Sequence, residues 1–214
     1  MNLKFSKLTD TSSHKFEEVL TIYIDLFPSS ERQPPDVVKE RIDSGKTVLF
    51  IAEIENEVVG FAILWNFDRS DFALLDYLAV DEKWRTLKIG SAIMEQIRRI
   101  ALNWGKDLIL EIELPGEGDN RLVCEKRLRF YLQNGALILK DVPYQLPTLD
   151  GTVPTAMLLL AIPIAKTKFY SKEKVTAIIR EMYAQVYRKE TTDAGLQSFI
   201  HLMPEQVELT TAWE

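Results

Sequence analysis

One stretch of this sequence constrains the fold more than any other, because it joins a buried strand, a basic loop and an amphipathic helix. The run Phe72–Val80 is apolar, with Asp76 as its one strongly polar residue, which is typical of a strand buried on both faces. Residues 81–88 are polar. An apolar pattern with helical steps of three and four follows, and Gly105 ends it. That pattern consists of Ile89, Ile93, Ile97, Ile100, Ala101 and Trp104.

The loop between this strand and this helix is suited to a phosphate group. A helix that starts here directs unpaired backbone N–H groups and the positive end of its dipole at one point. Three cations, Lys83, Arg85 and Lys88, add positive charge around that point. Basic loops are also common at ordinary solvated helix starts, so the loop alone does not decide between the two interpretations.

Composition and charge argue against several classes of protein. A net charge of −6 and a pI near 5.2 argue against general nucleic-acid binding. The single cysteine, Cys124, excludes an internal disulfide and fits a reducing compartment. The first residues lack the apolar core of a signal peptide, and the longest apolar run, residues 156–165, is too short to span a bilayer. We therefore expect a cytoplasmic protein without membrane or nucleic-acid partners.

The rest of the chain predicts a mixed α/β fold in which helices flank a central sheet. A first strand around residues 3–5 precedes two helices, which end before Pro28 and at Gly45. The further predicted strands cover residues 47–54, 58–67, 107–114, 136–140 and 155–164, and a further helix covers residues 120–134.

Two other segments are candidates for a special role. The loop 141–154 is long and contains three prolines, and such loops are often functional. Residues 166–214 form a tail with two predicted helices, which Ser171 and Asp193 are placed to cap. Both helices carry an apolar face, so we expect the tail to pack on the domain or on a second subunit of a homodimer.

Two motifs resemble those of the GNAT acyl-CoA N-acyltransferases. The segment from Leu78 through WRTLKIGSAIM is similar to the family's acetyl-CoA signature, an apolar strand followed by Arg/Gln-x-x-Gly-x-Gly/Ala, with Arg85 in the first position and Gly90 in the last. FYLQNGA at residues 130–136 is similar to the later Phe-Tyr-x-x-x-Gly-Phe motif. The resemblance covers residues 1–165 and implies a mostly antiparallel central sheet. It also implies acetyl-CoA binding by Leu78, Ala79, Val80, Arg85, Thr86, Leu87, Lys88, Ile89, Gly90 and Ser91.

The sequence departs from the family pattern at four positions. Lys88 stands where the middle glycine is usual, and Thr86 stands where a glycine is common. Glycine lets the backbone approach a pyrophosphate closely, so Lys88 either compensates with its charge or obstructs with its side chain. In the later helix, Cys124 replaces a usual asparagine and Arg127 a usual alanine.

Three residues are candidates for catalysis. The resemblance implies that Tyr131 protonates the leaving thiolate, although an aromatic residue on an amphipathic helix is by itself more often a core residue. Asp76 is either a strand residue that is hydrogen-bonded to a neighbour or a general base. Glu111 and Glu113 share one strand face and either meet solvent and cations or line the amine site, with Glu111 as the second candidate base. The two histidines are far apart in the sequence and predict no metal site.

The resemblance therefore implies an N-acetyltransferase that moves an acetyl group from acetyl-CoA to a small-molecule or peptide amine. The departures at Thr86, Lys88 and Arg127 favour an alternative, a non-catalytic module that keeps the fold and binds acyl-CoA as a sensor. A nucleotide hydrolase is a poor third interpretation, because the chain lacks the G-x-x-x-x-G-K-[ST] loop that such enzymes need.

Overall fold

The helices and strands follow the order that the sequence predicts, with three additional short strands. We analysed a computed structural model, which describes residues 2–27, 32–116, 121–147, 155–190, 192 and 194–213. The chain divides into two units, residues 1–108 and 109–214, and the division falls inside one strand.

The first unit begins with a strand and two helices and continues with three strands and a long helix. Its elements are β1 (Lys4–Leu8), α1 (His14–Leu26), α2 (Pro35–Asp43), β2 (Thr47–Ile54), β3 (Glu57–Asn66), β4 (Phe72–Val80), a 3₁₀ turn (Glu82–Leu87), α3 (Ile89–Trp104) and the start of β5 (Asp107–Glu113). The strands β1, β2, β3 and β4 are neighbours in that order, and each adjacent pair is antiparallel. The predicted hairpin between β2 and β3 turns through Glu55 and Asn56, which both have positive φ.

Helices cover both faces of the first unit's sheet. The side chains of α1 and α2 share one core with β2, β3 and β4, to which β3 contributes Phe61. Gly60, the preceding residue, points to the opposite face, because side chains alternate along a strand. A Cβ at Gly60 would lie 3.1 Å from Cδ1 of Ile93 in α3 and 2.7 Å from the Ala79 carbonyl oxygen. Gly60 therefore lets α3 pack directly on β3.

The second unit contains the rest of β5 and eight further elements. These are α4 (Arg121–Gln133), β6 (Leu137–Leu139), β7 (Gln145–Leu146), β8 (Thr155–Ile162), β9 (Phe169–Ser171), α5 (Lys172–Gln185), α6 (Ala194–Leu202) and β10 (Gln206–Thr210). The strand order is β5, β8, β6, β10, β9, with β7 paired to β8. The strands β7, β9 and β10 were not predicted from the sequence.

The tail adds strands as well as helices to the second unit. β10 pairs antiparallel with β6 and with β9, and α5 buries the apolar face that the sequence predicts. Ser171 caps α5 as expected, because its hydroxyl accepts a hydrogen bond from the Lys174 N–H at 3.2 Å. Asn120 and Asp193, predicted as the start of one helix and the cap of another, lie outside the described residues. Among the helices that the structure describes, none is long and apolar enough to cross a membrane.

Candidate active site

The turn between β4 and α3 leads into the N-terminus of α3. The first backbone N–H groups of this helix have no hydrogen-bond partner within the helix. The first helical hydrogen bond at this end joins the Ala92 N–H to the Lys88 carbonyl oxygen at 3.1 Å, so the amides of Ile89, Gly90 and Ser91 precede it. Among the described residues, no side chain caps this end of α3. Gly90 and Ser91 are half-buried, whereas Ile89 is buried in the core. The geometry offers backbone donors and the positive end of a 16-residue helix to an anion.

Lys88, which departs from the family pattern, has a backbone conformation that favours glycine. Its φ of 57° and ψ of 23° lie in the left-handed region. A lysine there has its Cβ too close to the following carbonyl group, which costs about 1 kcal/mol or more. The glycine of the family pattern avoids this cost, and Lys88 instead places an exposed side chain at the end of the helix.

The other cations of the turn are exposed or engaged locally. Arg85 forms an ion pair with Glu82 at 3.0 Å, and its Nε donates to the Val80 carbonyl oxygen at 3.4 Å. Asp81 accepts the Lys83 N–H at 3.0 Å and so fixes the start of the 3₁₀ turn that contains Thr86 and Leu87. Arg85 is half-exposed, and its pairing with the more exposed Glu82 is weak enough to exchange for a phosphate.

The end of β4 presents alternate residues to its two faces. Ala79 is buried in the core that α1 and α2 cover, whereas Leu78 and Val80 are half-buried. The register between β3 and β4 shifts at Asp76, so that Tyr77 pairs with Ile63 and Leu75 with Leu64. Asp76 is therefore the extra residue of a β-bulge, a feature that is over-represented next to active sites.

Asp76 is held by two side chains that are distant in the sequence. The Trp65 indole N–H donates to its Oδ2 at 3.0 Å, and the guanidinium of Arg41 lies 3.9 Å from the same oxygen. Arg41 is also buried and stacks over the Trp65 ring at 5.1 Å. Burial raises the pKa of Asp76 to about 6, against the lowering effects of Arg41 and Trp65. Asp76 thus fits both interpretations, a hydrogen-bonded strand residue and a base near neutral pH.

The loop after α1 is anchored to β4 by its backbone. The Gln33 N–H donates to the Tyr77 hydroxyl at 3.1 Å, and the Gln33 carbonyl oxygen accepts from the Tyr23 hydroxyl at 3.0 Å. Burial raises the pKa of Tyr23 and of Tyr77, so both phenols remain neutral donors and acceptors. The aromatic rings of Tyr23, Tyr77 and Phe27 are in contact, with Tyr77 4.9 Å from Tyr23 and 5.1 Å from Phe27. The residues 28–31 of this loop lie outside the described residues.

Glu111 lies on β5 in the second unit and is bound by two tyrosine hydroxyls. The Tyr187 hydroxyl donates to Oε2 at 2.5 Å, and the Tyr144 hydroxyl donates to Oε1. Glu113 on the same face instead pairs with Arg127 at 2.9 Å, and the Cys124 thiol donates to the same oxygen at 3.2 Å. The two glutamates therefore differ in their partners. Cys124 and Arg127, the two residues of this helix that depart from the family pattern, both contact Glu113.

Tyr131 lies in the last turn of α4 and is fixed by the way the helix ends. The Ala136 N–H donates to the Tyr131 carbonyl oxygen at 3.0 Å and the Gly135 N–H to that of Leu132 at 3.1 Å, which is a Schellman motif. Gly135 has a φ of 92°, and this is the physical reason for the glycine in FYLQNGA. Burial raises the pKa of Tyr131 to about 12, although Arg127 lowers it.

Four residues of these arrangements were not predicted from the sequence. They are Arg41, Trp65, Tyr144 and Tyr187. None belongs to a local motif, and each contacts a candidate carboxylate from a position between 11 and 76 residues away in the chain. Only the prolines of the loop 141–154 marked the neighbourhood of Tyr144 in advance. Within the described ranges, no group of three or more metal-ligating side chains could hold an ion.

Both the sequence and the fold of this chain are similar to those of known acetyltransferases. The sequence pattern of the "Acetyltransferase (GNAT) family" matches residues 16–127, which is just over half of the chain. No curated protein matches the sequence.

Solved structures of acetyltransferases share the fold at low sequence identity. A GNAT-family protein from Bacteroides thetaiotaomicron superposes with a TM-score of 0.72 and 19% identity, covering 86% of this chain and 98% of that chain. A GNAT acetyltransferase from Elizabethkingia anophelis, with acetyl-CoA bound, has a TM-score of 0.52 and 16% identity over 76% of this chain and 98% of its own. An acetyltransferase from Bacillus subtilis, in complex with CoA, has a TM-score of 0.54 and 16% identity, covering 76% of this chain and 99% of that chain. The predicted fold is confirmed.

Proposed function

This chain belongs to the GNAT acetyltransferase family, and on that premise we propose that it moves an acetyl group from acetyl-CoA to a primary amine. The observation that carries the proposal is the uncapped N-terminus of α3, where three backbone N–H groups follow the basic turn after β4. The acceptor in this proposal is a small-molecule or peptide amine. The loop around Gln33 is proposed to shape its site; of the loop 141–154, which the sequence also marked, residues 148–154 lie outside the described residues.

Acetyl-CoA is the proposed acetyl donor. Two of the similar structures hold acetyl-CoA or CoA, which supports this choice. The pyrophosphate would bind the amides of residues 89–91, with Arg85 and Lys88 adding charge and Thr86 and Leu87 lying in the turn. The backbone of residues 78–80 would align the pantetheine arm and supply the N–H that stabilises the developing oxyanion.

The proposed reaction is direct attack of a neutral amine on the thioester carbonyl carbon. An alkyl ammonium has a pKa near ~10, so a base must first remove one proton. Asp76 and Glu111 are the candidate bases, each acting directly or through a water. The new C–N bond forms, the C–S bond breaks, and the CoA thiolate leaves and takes a proton.

Tyr131 is the proposed source of the proton that the thiolate takes. Its pKa of about 12 exceeds that of an ordinary thiol, near ~8.5, by about 3.5 units. Transfer to a free thiolate would therefore be uphill by about 5 kcal/mol, at ~1.36 kcal/mol per unit. The transfer is consequently proposed to accompany collapse of the tetrahedral adduct, in which the sulfur atom is still partly bonded to carbon and its charge is incomplete.

The decisive experiment is consumption of acetyl-CoA thioester by the purified protein with a panel of amines. The panel contains diamines, aminosugars and peptides with a free N-terminus or lysine. Transfer with formation of the acetylated amine supports the proposed function. Binding of acetyl-CoA by calorimetry without turnover on the whole panel would favour the non-catalytic sensor, for which the side chain of Lys88 and the Arg127–Glu113 ion pair are the supporting observations.

Replacement of Tyr131 by Phe tests the proposed acid. Tyr131→Phe keeps the ring and removes only the hydroxyl, so kcat should fall by roughly 100-fold or more while the Kd for acetyl-CoA changes little. Phe130→Leu, which alters the neighbouring ring at 5.1 Å without removing a hydroxyl, is the matched control. A Tyr131→Phe enzyme with full kcat would end this assignment, and the thiolate would then take its proton from water.

The proposal also covers domain organisation and location. Residues 1–165 are proposed as the catalytic domain and residues 166–214 as an extension that packs on it. Light scattering of the full chain distinguishes a monomer from the proposed homodimer. The single cysteine remains the argument for a cytoplasmic location.

A further inference from the structure

Asp76 receives its side-chain contacts on one of its two carboxylate oxygens. The Trp65 indole N–H donates to Oδ2 at 3.0 Å, and the Arg41 guanidinium lies 3.9 Å from the same atom. No donor in the described part of the chain contacts Oδ1. The side chain of Asp76 is 10% exposed, so it is largely enclosed but not sealed from solvent. The two oxygens therefore differ, because Oδ2 is held whereas Oδ1 keeps its lone pairs for another donor.

Both partners of Asp76 are fixed by their own surroundings. Trp65 lies in β3, is 2% exposed, and stacks its ring on that of Phe67 with the ring centres 5.7 Å apart. Arg41 lies in α2, is 3% exposed, and places its guanidinium 5.1 Å from the centre of the Trp65 ring. Side chains that are packed this tightly keep one rotamer on average. The position of Oδ2 is therefore set by two elements that are distant in the sequence.

The β-bulge at Asp76 brings this carboxylate next to two segments that are proposed to bind substrates. Asp76 precedes Leu78 by two residues, which corresponds to about 7 Å along a strand. The intervening residue, Tyr77, accepts the Gln33 N–H with its hydroxyl, and Gln33 belongs to the loop that is proposed to shape the acceptor site. Asp76 is thus within two residues of both segments. All of these residues belong to the first unit.

We propose that Trp65 and Arg41 are positioning residues that hold Oδ2 of Asp76 and so present Oδ1 to the acceptor amine. This inference rests on the proposed function. The ammonium proton passes to Oδ1, the freed lone pair of the nitrogen attacks the thioester carbon, and Asp76 later returns the proton to solvent. The Trp65 N–H stays bonded throughout, because Oδ2 accepts a hydrogen bond in both the carboxylate and the carboxylic acid.

The described ionisable neighbours of Asp76 keep one charge state near neutral pH. They are Arg41 on α2, Tyr23 on α1 and Tyr77 on β4. Arginine stays charged, and burial raises the pKa of both tyrosines further above neutrality. Burial raises the pKa of Asp76 to about 6, while Arg41 and Trp65 act to lower it. Loss of either partner should therefore raise the pKa of Asp76.

The test measures the pH profile of kcat, which reports ionisations in the bound complex, for Trp65→Phe and Arg41→Met. Each variant removes one partner of Oδ2, so kcat at pH 7 should fall about 10-fold with KM for acetyl-CoA unchanged. The acid limb of the profile should also move to higher pH by about one unit. Asp76→Asn should abolish that limb, because its side chain does not titrate.

Trp104→Phe is the matched control for Trp65→Phe. Trp104 is a half-buried residue at the other end of α3, so the same ring change is made far from Asp76. This variant should keep kcat within about twofold of the wild-type value and leave the acid limb in place. Carbon-13 NMR of the Asp76 carboxyl group follows the same ionisation without turnover. If Trp65→Phe does not fold, as judged by circular dichroism, Arg41→Met carries both measurements.

The outcomes separate this inference from the proposed function. If the wild type acetylates amines but the acid limb stays in place in the folded variants, or persists in Asp76→Asn, the inference is overturned and the proposed function stands with another base. A limb that moves in Trp104→Phe as far as in Trp65→Phe would also overturn it, since the shift would then not depend on Oδ2. If the wild type acetylates no amine on the panel, the proposed function fails, and the role of Oδ1 as a base fails with it.

Discussion

The turn between β4 and α3 and the surroundings of Glu111 are built in opposite ways. The turn is made of one continuous segment, residues 78–91, and the chemistry it offers is mainly that of its backbone. The Glu111 carboxylate is surrounded by side chains that lie 33 and 76 residues away in the chain. Its chemistry comes from hydroxyl groups that only the folded chain brings together.

Because of this difference, the two regions should tolerate different kinds of amino-acid substitution. A helix N-terminus binds an anion through N–H groups that every residue except proline possesses, so side chains such as Lys88 can vary there. A carboxylate held by two phenols depends on side-chain identity at each position. Substitutions that add bulk or charge should harm the first region, whereas substitutions that remove a single atom should harm the second.

Gly90→Glu is the change with the largest expected effect on the turn. The side chain would put bulk and negative charge beside the three amides that would receive the pyrophosphate. The Kd for acetyl-CoA should rise at least about 100-fold, which corresponds to the loss of one or two charge-assisted hydrogen bonds. Isothermal titration calorimetry measures this directly.

Leu102→Glu provides the matched control for Gly90→Glu. Leu102 is 60% exposed near the other end of α3, so this change adds the same charge to the same helix far from the turn. Its Kd should stay within about twofold of the wild-type value. A Gly90→Glu protein that is folded by circular dichroism and binds with wild-type affinity would remove the pyrophosphate from this turn.

Asp76 lies between the two extremes, because its bulge is local whereas Arg41 and Trp65 are distant. Its folded-state pKa is about 6 against an ordinary 3.8, so between these values the folded chain keeps a proton that the unfolded chain has lost. Asp76 therefore makes the free energy of unfolding fall as the pH rises from about 4 to about 6. Above about pH 6 its contribution no longer changes with pH. The total change is about 2 to 3 kcal/mol.

The measurement is urea unfolding of the wild type and of Asp76→Asn at several pH values from 4 to 8. Asparagine does not titrate, and the cost of leaving Arg41 without a carboxylate is independent of pH in this range. The stability of the wild type relative to the variant should thus decrease from pH 4 to pH 6 and then stay constant. A difference that is constant over the whole range would show that Asp76 is ionised throughout.

The sequence predicted those features whose causes are local. The strands Thr47–Ile54 and Phe72–Val80 have the bounds that their apolar runs indicated, and Gly135 ends α4 because a left-handed residue must follow the helix. The basic turn could likewise be recognised because strand, loop and helix are consecutive. These features depend on neighbours within a few residues.

The rest could not be predicted because its causes are tertiary. β10 is a five-residue segment with alternating polarity, and it becomes a strand by pairing with β6 and β9. Similarly, nothing near Tyr187 in the sequence indicates that its hydroxyl reaches Glu111. The same holds for Arg41. Its sequence context indicates an ordinary cation on a helix, and only the folded chain brings its guanidinium close to the buried Asp76.

The smallest expected effect belongs to Lys88→Gly, which tests whether the turn tolerates its departure from the family pattern. Glycine relieves the left-handed strain at φ 57° but gains more freedom in the unfolded chain. The free energy of unfolding should increase by about 1 kcal/mol or less. The Kd for acetyl-CoA should rise about threefold, because one exposed positive charge near the pyrophosphate is lost.

Lys88→Asn decides between the two roles of the lysine side chain. Asparagine also tolerates the left-handed region, and it removes the charge while retaining a side chain. If the charge of Lys88 compensates for the missing glycine, Asn and Gly should weaken binding equally, and the difference from wild type should shrink at high salt. If the side chain instead obstructs the pyrophosphate, Gly should tighten binding and Asn should not. Tighter binding by Lys88→Gly alone would therefore contradict the compensation, and this turn would then resemble the Glu111 region in depending on side-chain identity.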